Sequence, residues 1–134
     1  MERKIFLELK PDLVREVLLV TEKTGIHERL YFKDLYKQLD ESKQYDPDDV
    51  AYTIKKLIEG GLIFGASDLA GYYVDELTYE GHEFLSNIRD NKVWEHTKRT
   101  IGKIGGASLS VIGTAAGTYL SMKAKELFGP LING

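Results

Sequence analysis

Two stretches determine the predicted fold: VAYTIKKLIEGGLI at residues 50–63 and LTYEGHEFL at residues 77–85. The first carries apolar side chains at the spacing of a helix with one buried face, namely Val50, Ile54, Leu57 and Ile58. Gly60 and Gly61 end that helix, and the apolar residues after them are typical of a short strand. In the second stretch, Thr78 is a good N-cap for another helix, and Gly81 permits close approach to a neighbouring helix. The two stretches therefore predict a helix, a hairpin and a further helix, in that order.

The flanking sequence completes this set of elements. The predicted helices cover residues 11–24, 31–40, 46–59 and 79–90, and strands at 62–64 and 72–77 enclose a loop at 65–71. Residues 3–9 alternate loosely and predict a short strand or an extended arm. The order of three helices, a hairpin and a helix is that of a winged helix-turn-helix. The predicted fold class is accordingly α+β, mostly α.

Both stretches also resemble segments of known families. The first resembles the third helix and first wing strand of many bacterial winged-helix proteins, and LTYEGHEFL resembles the L-T-x-x-G-x-x-x-L segment that follows the wing in several regulators. With residues 85–91, Val93-Trp94 and GGASL at 105–109, the region from the first helix to Leu109 resembles an uncharacterised winged-helix family of bacteria and prophages, catalogued as a domain of unknown function. The resemblance implies a winged helix and a phage–host setting, and it implies no catalytic residues.

The charge is distributed unevenly along the chain. Residues 1–90 carry 12 Lys and Arg against 19 Asp and Glu, a net charge of −7, whereas residues 91–134 carry 6 against 2, a net charge of +4. This asymmetry predicts two parts, a winged-helix domain at 1–90 and a helical tail at 91–134. An acidic domain is poorly suited to nucleic acid, because binding depends largely on neutralising phosphates.

The third helix and the hairpin carry the predicted partner-binding or DNA-binding face. Its residues are Tyr52, Thr53, Lys55, Lys56, Tyr72 and Tyr73. Tyrosines favour protein interfaces, and the two lysines keep recognition of DNA by helix 46–59 as an alternative. Against DNA, Asp46, Asp48 and Asp49 crowd the start of the helix, and Asp48 and Asp49 are predicted to face outward. The wing at 66–70 has no Lys or Arg. We therefore expect a protein partner, with a DNA-binding regulator as the alternative.

The tail predicts two helices, a basic one at 92–103 and one rich in small residues at 107–128. Small side chains allow two helices to approach closely, and they form a ridge predicted to mediate self-association: Gly106, Ser110, Gly113, Thr114, Gly117 and Ser121. Packing of this helix on its own domain is equally consistent with the sequence. Residues 104–122 carry no charge, which leaves a membrane-active effector as a second alternative.

No pattern indicates catalysis or a cofactor. The chain has no cysteine, and His27, His82 and His96 are too scattered to form a metal-binding motif. The N-terminus lacks the apolar region of a signal peptide, which predicts a cytoplasmic protein. The predicted function is a non-enzymatic regulatory or adaptor protein, homo-oligomeric through its tail, without a cofactor.

Overall fold

The computed structural model describes residues 7–104 and 108–132. The chain divides into two compact units, Met1–Leu85 and Ser86–Gly134, and the division falls within the helix that precedes the predicted boundary at residues 90/91. The fold is α+β and mostly helical with one small antiparallel sheet, so the predicted class is confirmed at this level.

The first unit is built from helices and a three-stranded sheet. In chain order it contains α1 (Pro11–Lys23), β1 (Leu30–Tyr31), α2 (Phe32–Lys37), α3 (Pro47–Glu59), β2 (Ile63–Asp68), β3 (Gly71–Leu77) and most of α4 (Tyr79–Ile88). The strand order is β1-β3-β2, all neighbours antiparallel. The core lies between α1, α3 and the sheet, and its fully buried side chains include Leu13, Val17, Leu18, Val50, Ile54, Leu57 and Val74.

The bounds and the buried face of helix α3 agree closely with those predicted from the sequence. Asp46 is its N-cap, because its side chain accepts a hydrogen bond from the backbone N–H of Asp48, and Pro47 occupies the first helical position. Val50, Ile54 and Leu57 are fully buried, as their spacing predicts.

The region around α2 differs from the prediction. Helix α2 spans six residues, where 31–40 was predicted, because Leu30 and Tyr31 pair with Val74 and Tyr73 in the sheet. At the other end, Asp40 begins a short 3-10 turn, in which its carboxylate accepts from the backbone N–H of Ser42. The predicted strand or arm at 3–9 forms no strand in its described part, residues 7–9.

The hairpin is longer than predicted, and the loop at 65–71 is largely absent. Strand β2 continues to Asp68, which pairs with Gly71, so the turn consists of Leu69 and Ala70 alone. Gly65 is part of the strand and pairs with Val74, and a larger residue would clash there, because a Cβ would lie 2.4 Å from the carbonyl oxygen of Tyr73. In the sequence this glycine suggests a loop. In the structure it permits close pairing of β2 and β3 at the register shift between Phe64 and Gly65.

The base of the hairpin is joined to α4 by what we call the Thr78 junction: Gly61, Leu62, Thr78 and Gly81. Thr78 Oγ1 donates to Gly61 O (2.6 Å) and accepts from Gly81 N–H (2.9 Å), so it caps α4 as predicted. The backbone N–H of Thr78 donates to Leu62 O (3.0 Å). Gly81 packs on the same carbonyl, because a Cβ on Gly81 would lie 1.9 Å from Leu62 O.

The second unit contains the end of α4, then α5 (Asn91–Ile104) and α6 (Leu109–Ile132). Trp94, Thr97 and Ile101 of α5 are buried, as are Ile112 and Ala116 of α6. Both helices were predicted, although α6 begins two residues later and ends four residues later than the predicted range 107–128.

Candidate functional site

The outer face of α3 holds three of the six residues predicted to contact a partner. Tyr52 and Lys56 are half-buried and Lys55 is exposed. Lys56 Nζ lies 2.9 Å from Glu59 Oε2 and 5.4 Å from the centre of the Tyr52 ring. This hydrogen bond raises the pKa of Lys56 and lowers the pKa of the Glu59 carboxyl. The charge of Lys56 is therefore already balanced within the helix.

Thr53 does not belong to this face, and its prediction is corrected. Its side chain is fully buried, and Oγ1 donates to the backbone carbonyl of Asp49 at 2.7 Å. One helical turn separates Thr53 from Val50 and from Leu57, which places it on the inner side of α3. A direct contact between Thr53 and a partner is thus excluded by its burial.

Asp49 was also predicted to face outward and is instead fully buried. Its Oδ1 accepts from the backbone N–H of Glu8 at 3.1 Å, and its Oδ2 lies 3.6 Å from Lys10 Nζ. The carboxylate therefore holds the segment before α1 against the start of α3. Of the two aspartates that follow Pro47, only Asp48 is exposed on the outer face.

Tyr72 and Tyr73 are both half-buried, and Tyr73 lies in a cluster of side chains that spans β1 and β3. The guanidinium carbon of Arg29 lies 3.8 Å from the centre of the Tyr73 ring, and the Tyr31 ring packs edge-on at 5.5 Å. Arg29 Nε also donates to Asp75 Oδ1 (3.2 Å). The role of Arg29 is not predictable from the sequence. Strand β1, which follows it directly, has only two residues and shows no alternation of apolar and polar side chains.

The hairpin presents apolar side chains to solvent. Leu69, in the turn, is fully exposed, and Phe64 on β2 is 54% exposed. Asp68 orders this turn, since its carboxylate accepts from Ala70 N–H and from Tyr31 OH, both at 2.8 Å. These two hydrogen bonds, that from Tyr31 first, lower the pKa of the Asp68 carboxyl. The strands and turn from Ile63 to Leu77 contain three acidic residues and no Lys or Arg.

A second cluster lies between α1, α2 and the 3-10 turn. The Glu16 carboxylate accepts from Tyr45 OH and from the backbone N–H of Asp40, and Tyr36 OH donates to Tyr45 O at 2.6 Å. Tyr36 and Tyr45 line a cavity of about 240 Å³ together with Leu39, Asp40, Glu41 and Gln44. Burial, followed by the hydrogen bond to Glu16, raises the pKa of the Tyr45 phenol.

Because of the Tyr45 phenol, the folding stability of the first unit is expected to depend on pH in the alkaline range. Because its pKa is higher in the folded state than the ordinary value of about 10, its stabilising effect is complete below pH 10 and is lost as the pH rises further. We expect Tyr45→Phe to reduce the fall in melting temperature between pH 9 and pH 11, and Glu16→Gln to reduce it partly. Thermal unfolding followed by circular dichroism measures this, and identical pH profiles for wild type and Tyr45→Phe would contradict it.

In the second unit, most residues of the predicted self-association ridge lie on the accessible surface of α6. Ser110, Thr114 and Ser121 are exposed, and Gly113 and Gly117 are half-buried. A Cβ on Gly117 would meet nothing within 4 Å. Gly106 lies outside the described residues.

Between α5 and α6 lies an open groove of about 340 Å³. His96 of α5 stacks on Tyr119 of α6 at 4.0 Å between ring centres, and both rings line the groove. Ile104 and Met122, which also line it, are 63% and 52% exposed. The groove is thus apolar and open to solvent.

Residues 7–104 and 108–132 contain neither a cluster of metal ligands nor a membrane-spanning helix. No three His, Asp or Glu side chains there are grouped so that they could hold a metal ion. No helix in that part of the chain, including the uncharged portion of α6, is both long and apolar enough to span a membrane.

Comparisons with known proteins give one family and one relative. A family model described as "Hypothetical protein (DUF2513)" matches residues 8–108. An uncharacterized protein of Haemophilus influenzae is 30% identical over 115 residues, which cover 82% of this chain and 92% of that protein. No solved structure matches the chain significantly.

Proposed function

The chain belongs to the DUF2513 family of hypothetical proteins, and from this premise we propose that it is a non-enzymatic winged-helix adaptor. It acts in the cytoplasm through contacts with a protein partner, and its helical tail mediates self-association. The prophage setting implied by the sequence resemblance stays part of this proposal.

The winged-helix assignment is supported by the order and pairing of the elements. In the sequence α1-β1-α2-α3-β2-β3-α4, the hairpin β2–β3 follows α3 and corresponds to the wing, and β1 adds a third strand to β3. In DNA-binding members of this architecture, α3 is the helix that enters the major groove.

The observation that carries the choice of a protein partner is the surface of the wing. Leu69 is fully exposed at its tip, in a hairpin that carries acidic residues and no Lys or Arg. A wing that contacts DNA needs cations for the phosphates, whereas an exposed apolar tip supports contact with a protein.

The DNA-binding regulator is the second candidate because Lys55 is exposed on the outer face of α3. The other lysine of this face, Lys56, is paired with Glu59, and Asp48 is also exposed there. Two lysines and two carboxylates leave the outer face of α3 close to neutral, which is weak support for phosphate binding.

Replacing the tip residue tests the adaptor proposal. We expect Leu69→Asp to reduce the amount of co-purified partner at least tenfold, because the charge must be desolvated in an apolar contact. The measurement is quantitative co-purification of proteins with the tagged chain from its native cells. Ile26→Asp is the matched control, since Ile26 is also exposed (71%) but lies outside the wing.

The same preparations decide between the two candidates. Equal recovery of proteins with Leu69→Asp and wild type would count against the wing as a protein-binding surface. Retention of specific genomic DNA fragments near physiological salt by the purified chain would favour the regulator instead.

A further inference from the structure

Four exposed cations of the tail have no carboxylate partner among the described residues. Residues 91–134 carry six Lys and Arg against two Asp and Glu, and both acidic side chains are paired within their own helix. Glu95 pairs with Lys98 (3.2 Å) and Glu126 with Lys123 (3.3 Å). The remaining cations, which we call the rim cations, are Lys92, Arg99, Lys103 and Lys125. They account for the net charge of +4 in the tail.

The rim cations border the groove between α5 and α6, which we call the tail groove. Around α5, at about 100° per residue, its three rim cations lie within about 60° of His96, a residue of the groove wall. The buried side chain of Thr97 lies about 100° from His96 in the opposite direction. On α6, Lys125 is about 20° from Thr118 of the groove wall and follows Met122 by one turn. The rim cations therefore lie along the groove and away from the buried side of α5.

The wall of the tail groove is largely apolar. Its apolar side chains are those of Ile104, Val111, Ala115, Tyr119 and Met122. Ile104 and Met122 are each more than half exposed. The hydroxyl of Thr100, which also lines the groove, already donates to the backbone carbonyl of His96 at 3.1 Å. The groove thus offers apolar surface to an occupant and requires few hydrogen bonds from it.

The dimensions of the tail groove fit an α-helix. On α6 the wall runs from Ser110 to Met122, a rise of about 18 Å at 1.5 Å per residue. A helix of about three turns has this length, and an apolar groove between neighbouring helices is a site where the apolar face of a further helix packs. An amphipathic helix is therefore the occupant whose shape the groove matches.

The rim cations determine the charge of that helix. A helix with carboxylates beside its apolar face gains ion pairs when it covers the groove, whereas a basic helix brings like charges together. The tail of a second copy carries the same four rim cations. Tail-to-tail contact in this groove is disfavoured for that reason, and an acidic helix is favoured.

Two other anionic surfaces match the groove less well. A nucleic acid backbone meets the cations but leaves Ile104 and Met122 exposed, because its phosphates offer no apolar strip. A lipid bilayer takes up an apolar face that protrudes into it, whereas the apolar side chains here line a concave site between two helices.

We propose that the tail groove binds an acidic amphipathic helix of a partner protein. The apolar face of that helix covers Ile104 and Met122, and its carboxylates pair with the rim cations. This inference rests on the proposed adaptor function and deepens it, because it gives the adaptor a class of partner and a contact site separate from Leu69.

A synthetic helix tests the site with the purified full-length chain. The probe is a fluorescein-labelled peptide of about 14 residues, with leucines at the spacing of one helix face and glutamates beside them. The matched peptide has lysines in place of the glutamates. We expect the glutamate peptide to bind at least tenfold more tightly in fluorescence anisotropy near physiological salt. Equal affinities, or no binding of the glutamate peptide, would overturn the proposal.

Two exposed apolar residues of α6 locate the contact. We expect Met122→Asp to weaken binding of the glutamate peptide at least tenfold, because it places a charge in the apolar wall. Leu127→Asp is the matched control, since Leu127 is 70% exposed on the same helix and does not line the groove. It should change the affinity less than threefold. Equal effects of the two substitutions would exclude the groove as the binding site.

The rim cations are tested by reversing two of them. We expect Arg99→Glu combined with Lys103→Glu to invert the preference, so that the lysine peptide binds more tightly. Lys33→Glu combined with Lys55→Glu changes the net charge equally at exposed positions of the first unit, and it should leave the preference unchanged. Inversion by this control as well would attribute the preference to net charge and overturn a specific site.

Three further results would assign the groove to another occupant and overturn the proposal. The chain could float with phosphatidylglycerol vesicles, or bind duplex DNA more tightly than the glutamate peptide. A wild-type dimer that Met122→Asp dissociates in sedimentation equilibrium would place a second copy in the groove. None of these results alters the co-purification measured with Leu69→Asp, so this inference and the adaptor function can fail separately.

Discussion

Replacing Gly81 with alanine is expected to destabilise the first unit by about 4 kcal/mol or more, a large part of the roughly 5–15 kcal/mol that keeps an ordinary domain folded. The new Cβ would lie 1.9 Å from Leu62 O, a distance that carbon and oxygen atoms cannot occupy. Relief by a small movement is prevented, because Leu62 O already accepts from Thr78 N–H and Thr78 Oγ1 is bonded to Gly61 O. The gain in helix propensity from Gly to Ala, about 1 kcal/mol, offsets only a fraction of this cost.

Urea unfolding measured by near-ultraviolet circular dichroism checks this prediction, since seven of the eight tyrosines lie in Met1–Leu85. Gly102→Ala is the matched control, because a Cβ there meets nothing within 4 Å. It lies in α5, and it should leave stability unchanged or raise it by up to about 1 kcal/mol. A wild-type unfolding midpoint for Gly81→Ala would contradict the close packing on Leu62.

Replacing Asp49 with alanine is expected to cost about 3 kcal/mol, whereas Asp48→Ala should cost less than about 1 kcal/mol. The two aspartates are neighbours in the first turn of α3, and the difference arises from the burial of Asp49 and from its contacts with the segment before α1. Asp49 is fully buried and holds Glu8 N–H and Lys10, whereas Asp48 is exposed. Without the Asp49 carboxylate, the backbone N–H of Glu8 loses its hydrogen-bond acceptor and Lys10 loses its ion-pair partner.

The free energy of unfolding at neutral pH, measured in urea for both variants, gives the comparison. Asp49→Asn is a useful third variant, because an amide oxygen still accepts from Glu8 N–H but no longer attracts Lys10 by charge. Its cost should fall between those of Asp48→Ala and Asp49→Ala. Equal costs for Asp48→Ala and Asp49→Ala would show that the buried carboxylate contributes little.

The parts of the fold that local sequence controls were predictable. Asp46-Pro47 and the apolar spacing from Val50 to Leu57 defined α3 within one residue, because capping and one-sided burial act along a single helix. Thr78 was recognised as a cap for the same reason. The close approach predicted at Gly81 exists, but it is to the backbone at the base of the hairpin, where a neighbouring helix had been expected.

Features that depend on pairing between distant segments were not predictable. Strand β1 has two residues and exists only because β3 lies beside it, so no period in the sequence indicates it. Strand β2 was predicted too short, because Gly65 and the polar residues Ser67 and Asp68 favour a loop when they are considered locally. Their place in the sheet is set by Tyr72 and Tyr73 on the other strand.

The same distinction between local sequence and long-range packing applies to the candidate site. Lys55 is exposed and Tyr52 and Lys56 are half-buried, whereas Thr53 and Asp49, which were also predicted to face outward, are fully buried. Short polar side chains can be buried at little cost when they bond to nearby backbone, as Thr53 does to Asp49 O. A prediction from polarity alone therefore assigns too many residues to the exposed face of α3. The packing of the segment before α1 determines that Asp49, and not Asp48, is buried.

The Thr78 junction has a consequence for the speed and strength of recognition. Because the base of the hairpin is fastened to the start of α4 by two hydrogen bonds and one close backbone contact, the hairpin cannot move freely about its base. A partner that binds Leu69 therefore meets a tip whose position is already set, and little conformational entropy remains to be lost on association. Loosening the junction would weaken such a complex without altering a single atom that the partner touches.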